Sequence, residues 1–140
     1  MDRWVLHAIL SACFAGLTSV VAKQGLVGIS AELGLTLRTI FVCMFVLLFA
    51  LFAVAPAEIK SLQKANYIWL GLSAMSTAGS WIFYYKALKI GNVATIALID
   101  KGSVIVAILL AWWLLKEAIT WRVACGALLI VAGLVVIAKK

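Results

Sequence analysis

The chain has little of what catalysis and metal binding draw on. Its 140 residues include one histidine, one proline and five acidic residues. His7 alone cannot build a zinc site of the usual histidine and cysteine clustering. Cys13, Cys43 and Cys125 are odd in number and each falls within an apolar run, where cysteine acts as a small hydrophobe. Neither a disulfide framework nor a metal site follows. A Gly-rich phosphate loop and a catalytic triad are also missing, which argues against an enzyme and implies no cofactor. What is abundant is apolar surface. At 66% hydrophobic and 12% charged residues, with a mean hydropathy of +1.19, the chain is too apolar for a soluble domain of its size and belongs in a lipid bilayer. The net charge of +7 comes from Lys and Arg scattered singly or in pairs between apolar runs. They read as charges at span ends, so nucleic acid is excluded as a partner.

The apolar runs predict one all-α integral membrane domain over 1–140, with five transmembrane helices at about 4–22, 38–55, 67–85, 93–115 and 121–138. This places the protein as multi-pass in a cell membrane, a prokaryotic inner or plasma membrane. In the first run, Ala8, Ala12 and Gly16, and then Ala15, Ser19 and Ala22, form rows of small residues that let backbones approach closely. Asp2 cancels Arg3 and the apolar segment is longer than a signal core, so a retained span is expected rather than a signal peptide. His7 and Ser11 share a face, as a polar lining or as a hydrogen-bonded interfacial histidine. Lys23 to Arg38 reads as a turn-rich loop carrying Gly25, Gly28, Ser30 and Gly34. Arg38 then stands at the mouth of the second span, snorkelling to lipid phosphates or, alternatively, attracting an anionic substrate. Pro56 ends that span.

Asn66 is expected to cap the third span. Within it Ser73, Ser76, Thr77 and Ser80 fall at i, i+3, i+4 and i+7 as a hydroxyl stripe, which hydrogen-bonds a neighbouring helix or lines a wet cavity. Trp69, Tyr84 and Tyr85 fit interfacial aromatic belts, while Trp81 lies deeper and can also stack on a substrate. Lys86, Lys89, Gly91 and Asn92 form a basic turn. Thr120 is expected to cap the fifth span, Gly126 and Gly133 suggest a close helix seam, and Glu117 pairs with Lys116, Arg122 or a cap.

The fourth run, Val93 to Leu115, carries the sharpest functional signal. It is about 34 Å long as a helix, and Asp100 and Lys101 lie about 10 Å inside it. A charge near the middle of a span costs about 2.5–3.5 kcal/mol on insertion scales, so such residues usually face a partner, a polar cavity or a transport path. Adjacent helix positions differ by about 100°, so both cannot point into one narrow channel. One division turns Asp100 to a cavity with Ser103 and Ala107, and Lys101 to a neighbouring carbonyl, Tyr84 or the serine stripe. The alternative is a neutralising pair that fixes packing. The candidate residues for substrate or coupling ion are therefore Asp100, Lys101, Ser103, Ser73, Ser76, Thr77, Ser80, Trp81 and Tyr84.

Five spans put the termini on opposite sides. The loops on the N-terminal side hold Arg3, Lys60, Lys64, Lys116 and Arg122, and the other side holds Lys23, Arg38, Lys86, Lys89, Lys139 and Lys140. Five against six gives almost no orientation bias under the positive-inside rule. Both orientations are expected to insert, and two opposed copies would form an antiparallel homodimer with a pseudo-two-fold axis in the membrane plane.

The run Ser80 to Gly91, then Ile99-Asp100-Lys101 with Ser103, then Leu115 to Thr120 and Gly126, resembles the EamA domain of the drug/metabolite transporter superfamily. Lys23-Gln24-Gly25 and Arg38 also sit where that domain carries basic residues, so the resemblance covers nearly the whole chain. It implies a ten-helix carrier of two inverted five-helix halves around a central cavity, working by alternating access, of which this chain represents one half. The first four spans would then line the cavity and the fifth would pack outside it. Lys116 stands where the element closing the fourth helix commonly has glycine. The first-span carboxylate of the four-helix small multidrug relatives has no counterpart in Trp4 to Ala22. The implied partners are the bilayer, a small-molecule substrate (a metabolite, amino acid or drug-like compound) and a second copy of the chain. A subunit of a lipid-linked-group flippase, or a membrane scaffold without transport, is the alternative.

Overall fold

A computed structural model describes residues 3–138, and these are helical with short connections. The elements are α1 (Arg3–Gly25), α2 (Ala31–Ala53), α3 (Pro56–Lys60), α4 (Lys64–Ile90), α5 (Val93–Asp100), α6 (Ser103–Leu110), a π-helical turn (Ala111–Leu115) and α7 (Trp121–Ala138). Three stretches are long and apolar enough to cross a membrane: α1, α2 and the continuous path Val93–Leu115. At 27 residues α4 has the length, but its hydroxyls and flanking charges dilute its apolar character. The chain divides into two compact units, one of residues 20–90 and one of 3–19 with 91–138.

In the unit of residues 20–90 the local chemistry sets the helix ends. Ser30 caps α2, its hydroxyl accepting from the Leu33 N–H at 3.2 Å, and Glu32 adds an acidic residue to the first turn. The helix therefore begins seven residues earlier than the apolar pattern suggested. The expected loop of residues 23–38 shrinks to the turn 26–30, where Gly28 adopts φ +78°. At the far end α2 stops at Ala53, and Pro56 opens the short α3 instead of closing α2. Asn66 is not a cap. It lies inside α4, donating its N–H to the Gln63 carbonyl at 3.0 Å, because the polar residues from Lys64 onward extend the helix a turn beyond the apolar run.

The core of this unit gathers where the C-terminal ends of α1 and α4 meet α2. Leu26, Ala31, Tyr85 and Leu88 are buried there. A Cβ on Gly34 would run into the Leu26 side chain, so glycine lets the turn lie against α2. Two lysines close the junction reciprocally. The Lys23 ammonium donates to the Leu88 carbonyl and, at 3.2 Å, to the Lys89 carbonyl, while the Lys89 ammonium donates to the Leu26 carbonyl at 2.8 Å. Each cation thus serves the carbonyls that the other helix end leaves without an intrahelical donor.

In the other unit Asn92 caps α5, its Oδ1 accepting from Ala94 N–H at 3.0 Å and Thr95 N–H at 3.4 Å. Thr120 caps α7 through the Val123 N–H at 3.4 Å, as expected. Between α5 and α6 the path tightens. The N–H of Lys101 donates to Leu98 and that of Gly102 to Ile99, i to i−3 bonds that make a 3₁₀ turn at the charged pair. Within this unit a Cβ at Gly126 or Gly133 meets nothing within 4 Å, so the small face they form is open here. A close approach forms at Gly102, where a Cβ would sit 3.2 Å from Leu134 Cδ1 of α7. Past the π turn, Lys116 is left-handed at φ 58° and ψ 28°, and the Glu117 N–H donates back to Ala111 at 3.3 Å. Among the described residues the Glu117 carboxylate makes no pair with Lys116 or Arg122.

Most large apolar side chains outside these contacts face outward, Phe52 at 92% exposure being an extreme. Such a surface is stable only against lipid or further protein. Two measurements check this account. Replacing Lys23 by Met removes charge-assisted bonds to carbonyls and lowers stability by about 1.5–3 kcal/mol, with a less than additive loss when Lys89→Met is combined with it, read by reversible unfolding in micelles. Replacing Lys116 by Gly relieves a left-handed L-residue and raises stability by about 1 kcal/mol in the same assay.

Candidate functional site

The structure sorts the candidate residues into two places, one in each unit. In the unit of residues 20–90, α2 and α4 enclose a groove of about 850 Å³, within the size range of small-molecule sites. Ser73, Thr77 and Trp81 lie one turn apart on α4 and line it, facing Thr39 and Cys43 of α2. Ser76 and Ser80, on the adjacent row, are not part of its lining. The hydroxyl stripe therefore splits. Thr77 donates to the Ser73 carbonyl at 3.0 Å, Ser76 to Leu72 at 3.1 Å and Thr39 to Leu35 at 2.8 Å. Each hydroxyl satisfies its proton within its own helix and keeps lone pairs free to accept. These residues do not bridge α2 and α4. Tyr84 is half-buried on the same helix.

Arg38 is the residue that one-dimensional reading misplaced. Because α2 starts at Ala31, Arg38 is its eighth residue and lies about 10 Å along the helix rather than at its mouth. Its guanidinium stacks 4.3 Å from the Trp81 ring centroid and 5.8 Å from that of Tyr85. Cation–π contact with Trp and Tyr contributes about 0.5–2 kcal/mol and leaves the in-plane N–H donors unused. One of them, on Nη1, is buried with no acceptor among the described residues, at a cost of about 1–3 kcal/mol or more. The acidic residue nearest in sequence, Glu32, is turned to Lys86 at 3.6 Å. Leu33, Leu35 and Leu37, which precede Arg38, were the available signal that it lies within the helix. Nothing in the order of residues connects it to Trp81.

In the other unit Asp100, Lys101 and Ser103 surround the 3₁₀ turn inside Val93–Leu115, and all three are exposed. At three residues per turn, Asp100 and Ser103 stack on one side. Among the described residues neither charge has a hydrogen bond or ion pair within its unit, so the pair does not neutralise itself and Lys101 reaches no carbonyl there. The physical reason is the turn geometry: adjacent side chains diverge, and the apolar residues around them offer no acceptor. His7 likewise stands exposed. Among the described residues no group of three or more His, Cys, Asp or Glu could hold a metal ion.

Residues 2–139 match the family described as the EamA-like transporter family. The chain is 32% identical over 140 residues to an uncharacterized transporter in the cobO 3' region of a Sinorhizobium species, spanning 98% of this chain and 97% of that protein. No solved structure matches it. The stack at Arg38 is directly measurable: a double-mutant cycle of Arg38→Lys and Trp81→Leu in micelles gives a coupling of about 0.5–2 kcal/mol, whereas independent side chains give none.

Proposed function

Because the chain belongs to the EamA-like transporter family, and so is a membrane transporter, we propose that it is a small secondary carrier that works by alternating access as an antiparallel homodimer. In this reading α4 and α7 cross the bilayer together with α1, α2 and Val93–Leu115. The substrate is a small metabolite, amino acid or drug-like compound that occupies the α2–α4 groove, and the chain works in a prokaryotic cell membrane.

The observation that carries the reading is the charged turn. Asp100 and Lys101 lie in a membrane-crossing stretch, exposed and unpartnered in their unit. Charges in such a place call for a water-filled path or a second chain. Loop charge supports the second chain. The side opposite the N-terminus holds Lys23, Arg38, Lys86, Lys89, Lys139 and Lys140, six basic residues against five. That near-balance gives almost no orientation bias, and opposed copies supply the inverted repeats from which carriers are built. The 3₁₀ turn at Lys101 and Gly102 is a natural hinge for the rocking motion.

Asp100 is assigned the coupling proton, with Ser103 beside it. The protein reconstituted alone in liposomes is expected to move solute down an imposed proton gradient. Asp100→Asn abolishes that flux while insertion and dimer formation persist. Full flux in Asp100→Asn reduces the pair to packing, and silence of the native protein alone favours a flippase subunit or scaffold that needs a partner.

A further inference from the structure

We propose that the α2–α4 groove selects organic anions, with Arg38 as the residue that receives a carboxylate while the groove takes the apolar body. The proposal rests on the transporter reading and names its substrate class.

Three observations lead to it. First, Arg38 is a fixed positive charge about two turns inside α2, and its face is occupied by Trp81 at 4.3 Å and Tyr85 at 5.8 Å. Ring stacking uses the face of the guanidinium and leaves its edge, where the N–H donors point, for a different partner. Second, Nη1 is buried and has no acceptor among the described residues. The one ion pair found among the described residues engages Glu32 with Lys86 instead. A buried guanidinium edge with no protein carboxylate beside it matches a carboxylate brought by another molecule, which it can grip through two parallel hydrogen bonds. Third, Trp81 is shared. It carries the guanidinium and also forms part of the groove wall with Ser73, Thr77 and Thr39. Arg38 itself is not part of the lining, so an acid group that sits on it reaches the mostly apolar groove of about 850 Å³ along the Trp81 ring, where the body of the molecule then lies. Receiving the anion takes a turn of the guanidinium on the Trp81 ring, a movement that a long side chain makes readily.

The groups around the groove agree with an anion. Thr39 and Thr77 have committed their protons to their own helices and present only lone pairs, so the positive donor that fixes orientation is Arg38. Acidic side chains do not line the groove. An aryl or branched aliphatic acid fits this combination better than an amine or a sugar does.

Phenylacetate, phenylacetamide and phenethylamine share one body and differ in head-group charge, which makes them the probes. Binding is measured at equilibrium on the full chain in micelles of neutral detergent. Native protein is expected to bind phenylacetate at least tenfold more tightly than the amide or the amine. Arg38→Gln removes the preference, and Arg38→Lys, which keeps the charge but loses the fork and the stack, retains part of it. Equal binding of the three probes, no binding of phenylacetate, or an undiminished preference in Arg38→Gln or Arg38→Lys overturns the proposal. Phosphatidylglycerol is the other source of an anion: Arg38-dependent binding of that lipid without any phenylacetate binding also overturns it. Because binding is read without flux, Arg38-dependent binding in a chain that moves nothing in liposomes keeps the site and removes the transporter reading. Flux of uncharged solutes without such binding does the reverse.

Discussion

Charge and backbone carried into a bilayer must be answered by a partner, because hydrocarbon offers none. The features of this chain follow from how far that demand is met. At the junction of α1 and α4 it is met completely, as Lys23 and Lys89 exchange ammonium groups for the carbonyls at each other's helix ends. That exchange fixes where α4 lies against the turn after α1 and buries Leu26 and Leu88. At Arg38 it is met on the face of the guanidinium and left open on its edge. At Asp100 and Lys101 it is not met within their unit.

This gradient separates scaffold from working parts. Where every polar group is satisfied, the chain has a rigid reference against which other parts can move. Where groups are left open inside a spanning stretch, their cost is tolerated because a solute, an ion or another chain supplies the missing contact in use. Arg38 stacks on Trp81, which forms part of the wall of a groove of small-molecule size, and the open pair flanks a 3₁₀ turn in the other unit. The left-handed Lys116 and the wide turn before it add a second irregularity at the end of the same path.

Much of the fold was legible in residue order. Apolar runs marked α7 and the Val93–Leu115 path, and Thr120 stood where a cap was needed, while Asn92, read only as part of a basic turn, caps α5 as well. The left-handed backbone at Lys116 was not legible, since a lysine there gives no sign of a positive φ. Helix ends were less legible. Hydropathy marks where lipid contact stops and not where hydrogen bonding stops, so Ser30 and Glu32 begin α2 well before its apolar centre and Lys64 begins α4 before Asn66. That offset hid Arg38. The stripe of hydroxyls was visible on α4, but which row faced α2 depended on packing between helices, and only Ser73 and Thr77 turned to the groove. The approach of Leu134 to the 3₁₀ turn at Gly102 was hidden for the same reason, because nothing in residue order pairs the two.

The central claim is that the working unit pairs two copies inserted in opposite directions, so that one chain's unanswered charges face those of its inverted partner across a shared cavity. The most direct measurement is the location of the C-terminus in intact cells, using one reporter active only inside and one active only outside, each fused after Lys140. The account predicts comparable signal from both reporters at native expression. Signal from one side alone would contradict it.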